Sequence, residues 1–259
     1  MKIAITGKGG VGKTTIAGIL SRLFAAEGAK VLAIDADPDA NLAAALGIKE
    51  EEYKKIVPFS KMKELAEERT GAKEGYGSYF ALNPKVDDLP DKYCLSHNGV
   101  DLLVMGTVDQ GGSGCVCPEH TLLKRLMKHL LFDREDIVIM DMEAGIEHLG
   151  RGTAESVDAL IVVVEPGKRS IQTAGQINKL AKDIGIKNIF VVASKVRNEE
   201  DFTFISKELK EFKILGKVSL NEDVRKADMQ GSSPFDIESD VVINEVKIIK
   251  EQLVKLLAK

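Results

Sequence analysis

Seven short, near-continuous apolar runs punctuate the chain, at residues 2–6, 30–34, 101–105, 136–140, 159–164, 188–193 and, more weakly, 214–219. Val and Ile dominate them, and none alternates apolar with polar. Half-solvated strands alternate, whereas strands covered on both faces do not. Between the runs lie stretches with helical spacing of apolar positions, near 13–26, 119–132, 169–184 and 200–211, with a last one at 241–257. This order predicts a doubly wound α/β fold, a mostly parallel sheet of about seven strands with helices on both faces. Residues 48–98 break the rhythm. Lys/Glu-rich helix signals there give way to Gly71, Gly75, Gly77, Pro84 and Pro90. That change predicts an insertion carrying one helix and an irregular or short-stranded excursion. With no repeat or linker elsewhere, residues 1–259 are expected to form one domain.

Composition and charge narrow the class. The 259 residues include 36 Lys+Arg and 40 Asp+Glu, a formal net charge of −4. A dedicated nucleic-acid binder should be basic, so no nucleic-acid partner is expected. No apolar run reaches the roughly 18 residues of a membrane-spanning helix. Met1 leads straight into the first strand-like run, without a signal-peptide pattern, and a cytoplasmic protein is expected. Three cysteines, two of them separated by one residue, make a poor disulfide framework and suit an intracellular metal pair.

The first run leads into Gly7-Lys8-Gly9-Gly10-Val11-Gly12-Lys13-Thr14-Thr15. This is a phosphate loop in its required setting, strand before and helix after. Glycines let backbone N–H groups converge on phosphate oxygens, and the helix adds its positive dipole end. Lys13 supplies a point charge for the β- and γ-phosphates, and Thr14 a hydroxyl for Mg²⁺. Lys8 is extra; taken alone it is a solvated loop lysine.

Two further apolar runs end in acids. The second gives Asp35-Ala36-Asp37-Pro38-Asp39, and the fourth gives Asp141 followed by Met142-Glu143-Ala144-Gly145. Carboxylates at the C-terminal ends of parallel strands face the crevice where such sheets bind ligands. In isolation Asp35 and Asp37 could also be a solvated turn, with Asp39 capping the next helix. Asp141 has the place of the acid poised near Mg²⁺. Gly145 would let a backbone N–H approach the γ-phosphate closely.

The cysteine pair lies in Gly114-Cys115-Val116-Cys117-Pro118-Glu119-His120, just before a helix. If residues 115–117 are extended, both thiols point the same way, and a helix N-terminus favours thiolate. Thiolates select Zn²⁺, Ni²⁺ or Fe–S species. Two sulfurs do not complete a tetrahedral site. A two-fold dimer would supply four, or Glu119 and His120 could complete a site within one chain, or the pair could simply be buried in a turn. Cys94 reads as a packed residue.

Lys8-Gly-Gly-Val-Gly-Lys13-Thr-Thr resembles the deviant phosphate loop of the Min/Par/nitrogenase-iron-protein group of dimeric ATPases. The resemblance implies a homodimer in which Lys8 reaches the partner's nucleotide. It also implies that Asp35 supports the metal, that Asp37 positions water, and that the run from Asp141 is a second switch. Ser194-Lys195 stands where many relatives carry Asn with Lys or Arg at the adenine, and Ser offers fewer donors and acceptors than an amide. Within the group, the Cys115/Cys117 pair and Asp141-Met-Glu-Ala-Gly-Ile-Glu-His-Leu-Gly150 are similar to the nickel-inserting accessory ATPases of carbon monoxide dehydrogenase maturation. That similarity implies Mg²⁺-dependent hydrolysis of ATP to ADP. It further implies Ni²⁺ or Zn²⁺ bound by the paired cysteines across the dimer, and carbon monoxide dehydrogenase as client. Two other readings remain open. A Min/Par-type ATPase acting on membrane or DNA would want a basic terminal helix, but Glu245 and Glu251 interrupt the basic pattern of the last one, so no membrane partner is expected. An electron-transfer iron protein would want a second cysteine in the stretch 142–149, which has none.

Overall fold

The computed structural model describes residues 1–37, 40–72, 80–106, 118–146, 149, 151–237 and 240–258. The strands are β1 (Lys2–Gly7), β2 (Val31–Ala36), β3 (Leu95–His97), β4 (Val100–Val104), β5 (Ile137–Met142), β6 (Ala159–Val164), β7 (Ile189–Val196) and β8 (Lys213–Ser219). They form one sheet in the order β3-β4-β2-β5-β1-β6-β7-β8. Every pairing is parallel except that of β3 with β4. Among the described residues the sheet therefore has eight strands rather than about seven. The additional one is the short strand at the end of the insertion.

Helices cover both faces. They are α1 (Lys13–Ala26), α2 (Leu42–Leu46), α3 (Glu50–Tyr53), α4 (Lys63–Thr70), α5 (Leu89–Tyr93), α6 (Pro118–Phe132), α7 (Arg151–Ala154), α8 (Lys168–Asp183), α9 (Glu199–Glu208), α10 (Glu222–Gln230) and α11 (Asp240–Leu257). Successive strand residues point to opposite faces, which is why the runs could be apolar throughout. In β1, Ala4 joins one core with residues of α4, α6, α8 and α9, while Ile3 and Ile5 join the other with α1, α2 and α11. The insertion holds α3, a 3₁₀ turn at Phe59–Lys61, α4, α5 and β3, which is more helix than the single one expected.

The chain leaves β1 for β2 on one side, yet β1 also pairs with β6 on the other. Doubly wound sheets open a crevice at such a reversal, beyond the C-terminal strand ends. The ends of β1, β2, β5 and β6 meet there.

Candidate functional site

The phosphate loop runs off β1 at Gly7 and ends where α1 begins at Lys13. Gly7 has φ +148°, and a Cβ there would stand 2.3 Å from the Val163 carbonyl oxygen on β6. Gly12, at φ +97°, precedes α1 without any side-chain cap. The first-turn N–H groups of α1 are thus left to whatever the loop binds. Val11 is fully buried and anchors the loop in the core.

Acids converge on the loop from the neighbouring strands. Asp35 and Asp141 are register partners across β2 and β5, and both are fully buried. Asp35 accepts hydrogen bonds from the backbone N–H of Leu42 at 2.9 Å and of Asp37 at 3.3 Å. Burial nonetheless pushes its carboxyl up to about 7, with the Asp141 charge adding to the effect. Both Asp141 oxygens are buried without a hydrogen bond of ordinary geometry. Burial raises that group to about 6, against the pull of the nearby Thr14 hydroxyl and Lys13 ammonium. The Lys13 ammonium, almost wholly buried, lies 3.8 Å from Asp37 Oδ2.

A buried carboxylate with no partner is costly unless something charged completes it. Oxygen donors of this kind, with a threonine hydroxyl beside them, fit Mg²⁺, which takes one or two carboxylates and the phosphates of its nucleotide. Asp141, Thr14 and Asp35 are the residues that would hold it.

The other sequence-predicted residues fall into place unevenly. Lys8 leaves the loop toward Glu165, its Nζ 3.0 Å from Oε1. Gly145 lies at the crevice, but its N–H donates to the Glu143 carbonyl at 2.7 Å. Ser194 is buried against the loop, and its Oγ is the atom a Cβ on Gly12 would meet, at 3.2 Å. Lys195 adopts φ +55°, rare for a side-chain-bearing residue, and its Nζ donates to the Gly10 carbonyl at 2.5 Å. These two residues therefore brace the loop. Gly9, Gly10 and Thr15 sit on the loop and first helical turn as expected.

Cys115, Cys117, Pro38, Asp39, Glu147 and His148 lie outside the described residues. Pro118, Glu119 and His120 begin α6. Cys94 is partly buried against the core, and burial pushes its thiol up to about 12. No group of three or more metal-ligating side chains occurs among the described residues.

Two contacts had no signal in the sequence. The hydroxyl of Thr6, a fully buried residue, lies within hydrogen-bond distance of two carbonyl oxygens, Glu143 at 2.7 Å and Gly145 at 3.0 Å, and donates its one proton between them, tying β1 to the turn after β5. Tyr53, from the insertion, donates through its hydroxyl to the Ala40 carbonyl at 3.1 Å.

Comparison with known proteins agrees with this geometry. The chain is 53% identical over 237 residues to the carbon monoxide dehydrogenase accessory protein CooC of Rhodospirillum rubrum, covering 92% of this chain and 90% of that one. It is 50% identical to an ATP-binding protein of Methanocaldococcus jannaschii, covering 99% and 98%. Among solved structures, a ParA family ATPase from Chlorobium tepidum superposes with a TM-score of 0.69 at 19% identity, covering 98% of each chain. The description "CobQ/CobB/MinD/ParA nucleotide binding domain" matches residues 2–235. With a phosphate loop, two buried strand-end acids and these relatives in agreement, the chain belongs to the CobQ/CobB/MinD/ParA family of nucleotide-binding proteins.

Proposed function

We propose that this protein is a Mg²⁺-dependent ATPase that acts as a homodimer in the maturation of carbon monoxide dehydrogenase, carrying nickel as cargo on Cys115 and Cys117. The observation that carries the reading is the 53% identity to CooC over nine-tenths of both chains. The buried acid pair beside the phosphate loop supports the ATPase part.

Transfer of the γ-phosphoryl group to water needs little covalent chemistry from a protein; positioning and charge stabilisation suffice. Lys13 neutralises charge that develops on the transferring group. Asp37, beside Lys13, accepts a hydrogen bond from the attacking water and orients it. Thr14, Asp35 and Asp141 would hold Mg²⁺, which would supply positive charge against the phosphates. Lys8 contributes its charge to the partner subunit's nucleotide. Gly145 contributes its N–H to the γ-phosphate, which requires release of that N–H from Glu143. Hydrolysis withdraws the contacts to the γ-phosphate, so that the γ-phosphate sets a two-state switch coupled to opening of the pair or to metal release.

Membrane action is the less favoured reading. Val242, Val246, Ile249 and Leu253 of α11 are buried in the core shared with α1 and β8. Among the described residues no helix is long and apolar enough to cross a membrane.

The test is reconstituted activation of nickel-free carbon monoxide dehydrogenase with Ni²⁺, ATP and this protein. Activation should require ATP and fail with Lys13→Ala. Equal activation without ATP would contradict the reading.

A further inference from the structure

Lys8 has an acceptor within its own chain. Its Nζ stands 3.0 Å from Glu165 Oε1. Glu165 directly follows β6, where Val163 is the register partner of Gly7, so its carboxylate lies level with the phosphate loop. Its backbone is fixed as well. The Glu165 N–H donates to Oγ of Ser170 at 3.1 Å, and Ser170 is buried near the start of α8. The loop around Lys8 is otherwise open: a Cβ on Gly9 or Gly10 would meet nothing within 4 Å. Glu165 stands apart from the acids of β2 and β5, and the hydrolysis chemistry above gives it no task.

We propose that Glu165 is a positioning residue that restrains Lys8 within its own subunit and competes for it with the nucleotide of a second copy of this chain. The proposal rests on the reading in which Lys8 crosses between subunits. One ammonium cannot serve both acceptors. The carboxylate is always adjacent, whereas the partner's phosphates arrive only when two loaded chains meet. A triphosphate carries more negative charge than one carboxylate, so exchange favours the crossed contact when the γ-phosphate is present and favours it less with ADP. The two side chains are 38% and 27% exposed. An ion pair this exposed shifts an equilibrium by about fivefold at most, and pairing releases one in each chain, so the two together shift it by about 25-fold at most. The contact therefore biases pairing without blocking it.

The experiment is sedimentation velocity over a range of protein concentrations with a non-hydrolysable ATP analogue. Glu165→Gln should pair at about twofold to 25-fold lower concentration than the wild-type chain, two restraints being lost per pair, and rising ionic strength should narrow that gap. Glu165→Asp, which keeps the charge on a shorter arm, should fall between them. Lys8→Ala should pair poorly whether or not Glu165 is also substituted, because a restraint without its lysine has nothing to hold. Circular dichroism establishes that each variant is folded. If pairing depends on Lys8 but Glu165→Gln pairs no better than wild type, the restraint is refuted and the functional reading stands. If pairing is indifferent to Lys8→Ala, the crossed lysine itself is refuted, and the restraint with it.

Discussion

Asp141 places stability and chemistry in opposition. Its carboxyl ionises near pH 4 in an unfolded chain but only at about 6 in the fold, because both oxygens are buried. A folded acid with a raised pKa holds its proton more tightly than the unfolded chain does. Folding is therefore penalised as pH rises from about 4, and the penalty is complete above about 6. Asp141→Asn removes the charge, so in protein free of metal and nucleotide its unfolding temperature should exceed that of wild type. The gap should be negligible near pH 4 and largest above pH 6. Mg²⁺ should raise the wild-type midpoint and not the variant's. A variant less stable than wild type at pH 8 would count against this account of the acid. Two substitutions separate charge neutralisation from water positioning. Lys13→Ala should lower ATP turnover by at least about 10²-fold, on the scale of losing one preorganised charge-stabilising donor. Asp37→Asn should keep ATP binding but slow hydrolysis by about 10²-fold or more, since an amide is a poorer acceptor for the water's proton. Loss of nucleotide binding in Asp37→Asn would show that Asp37 has another role. Lys13, Asp35, Asp37 and Asp141 were legible because their spacing is local: a loop, or the last residues of an apolar run. Thr6 was not, because its carbonyl partners lie 137 and 139 positions away, and a threonine ending a strand carries no mark of them.

Gly18 shows how packing between elements reaches the site. It sits inside α1, where Ala would normally be better by up to about 1 kcal/mol. A Cβ there would lie 2.8 Å from both the carbonyl oxygen and the Cβ of Ala45 in α2. Contact at that distance forces the two helices apart, so Gly18→Ala should lower the unfolding temperature despite its helix propensity. It should also weaken nucleotide binding, because Leu42 at the start of α2 holds Asp35 through its N–H. An unfolding temperature equal to or above wild type would show that α2 shifts freely. Two elements, β3 and α10, lack an apolar run of their own, each for a physical reason. Strand β3 is three residues long, too short for a run. Its signal was the following Asn98-Gly99, at φ +48° and +78°, a pair suited to the two-residue turn that joins β3 to β4. Helix α10 buries only Ala227, so it has no apolar period; its marks were Asn221, whose side chain caps Asp223 N–H at 2.6 Å, and the acids of the first turn.

At the scale of the whole molecule, β1, β2, β4, β5, β6 and β7 were legible because each is buried on both faces, which makes it an apolar block, whereas β8, with only Leu215 and Val218 buried, gave the weaker run. The order of those strands was not, since sequence periodicity records burial and not neighbours. The order matters for function: it sets β2 and β5 side by side, so that Asp35 and Asp141 meet, and it places Glu165 beside the loop that bears Lys8. The central claim concerns two chains rather than one. If ATP and a divalent metal both bind the paired state better than the single chain, each must raise the other's affinity by the same factor. The most direct measurement is sedimentation velocity with Ni²⁺ or Zn²⁺, with and without a non-hydrolysable ATP analogue, together with metal stoichiometry. The account predicts one metal ion per two chains, tighter metal binding with the analogue, and loss of the metal effect in Cys115→Ala or Cys117→Ala with the ATP effect at least partly retained. One metal ion per chain, unchanged by either cysteine substitution, would contradict it.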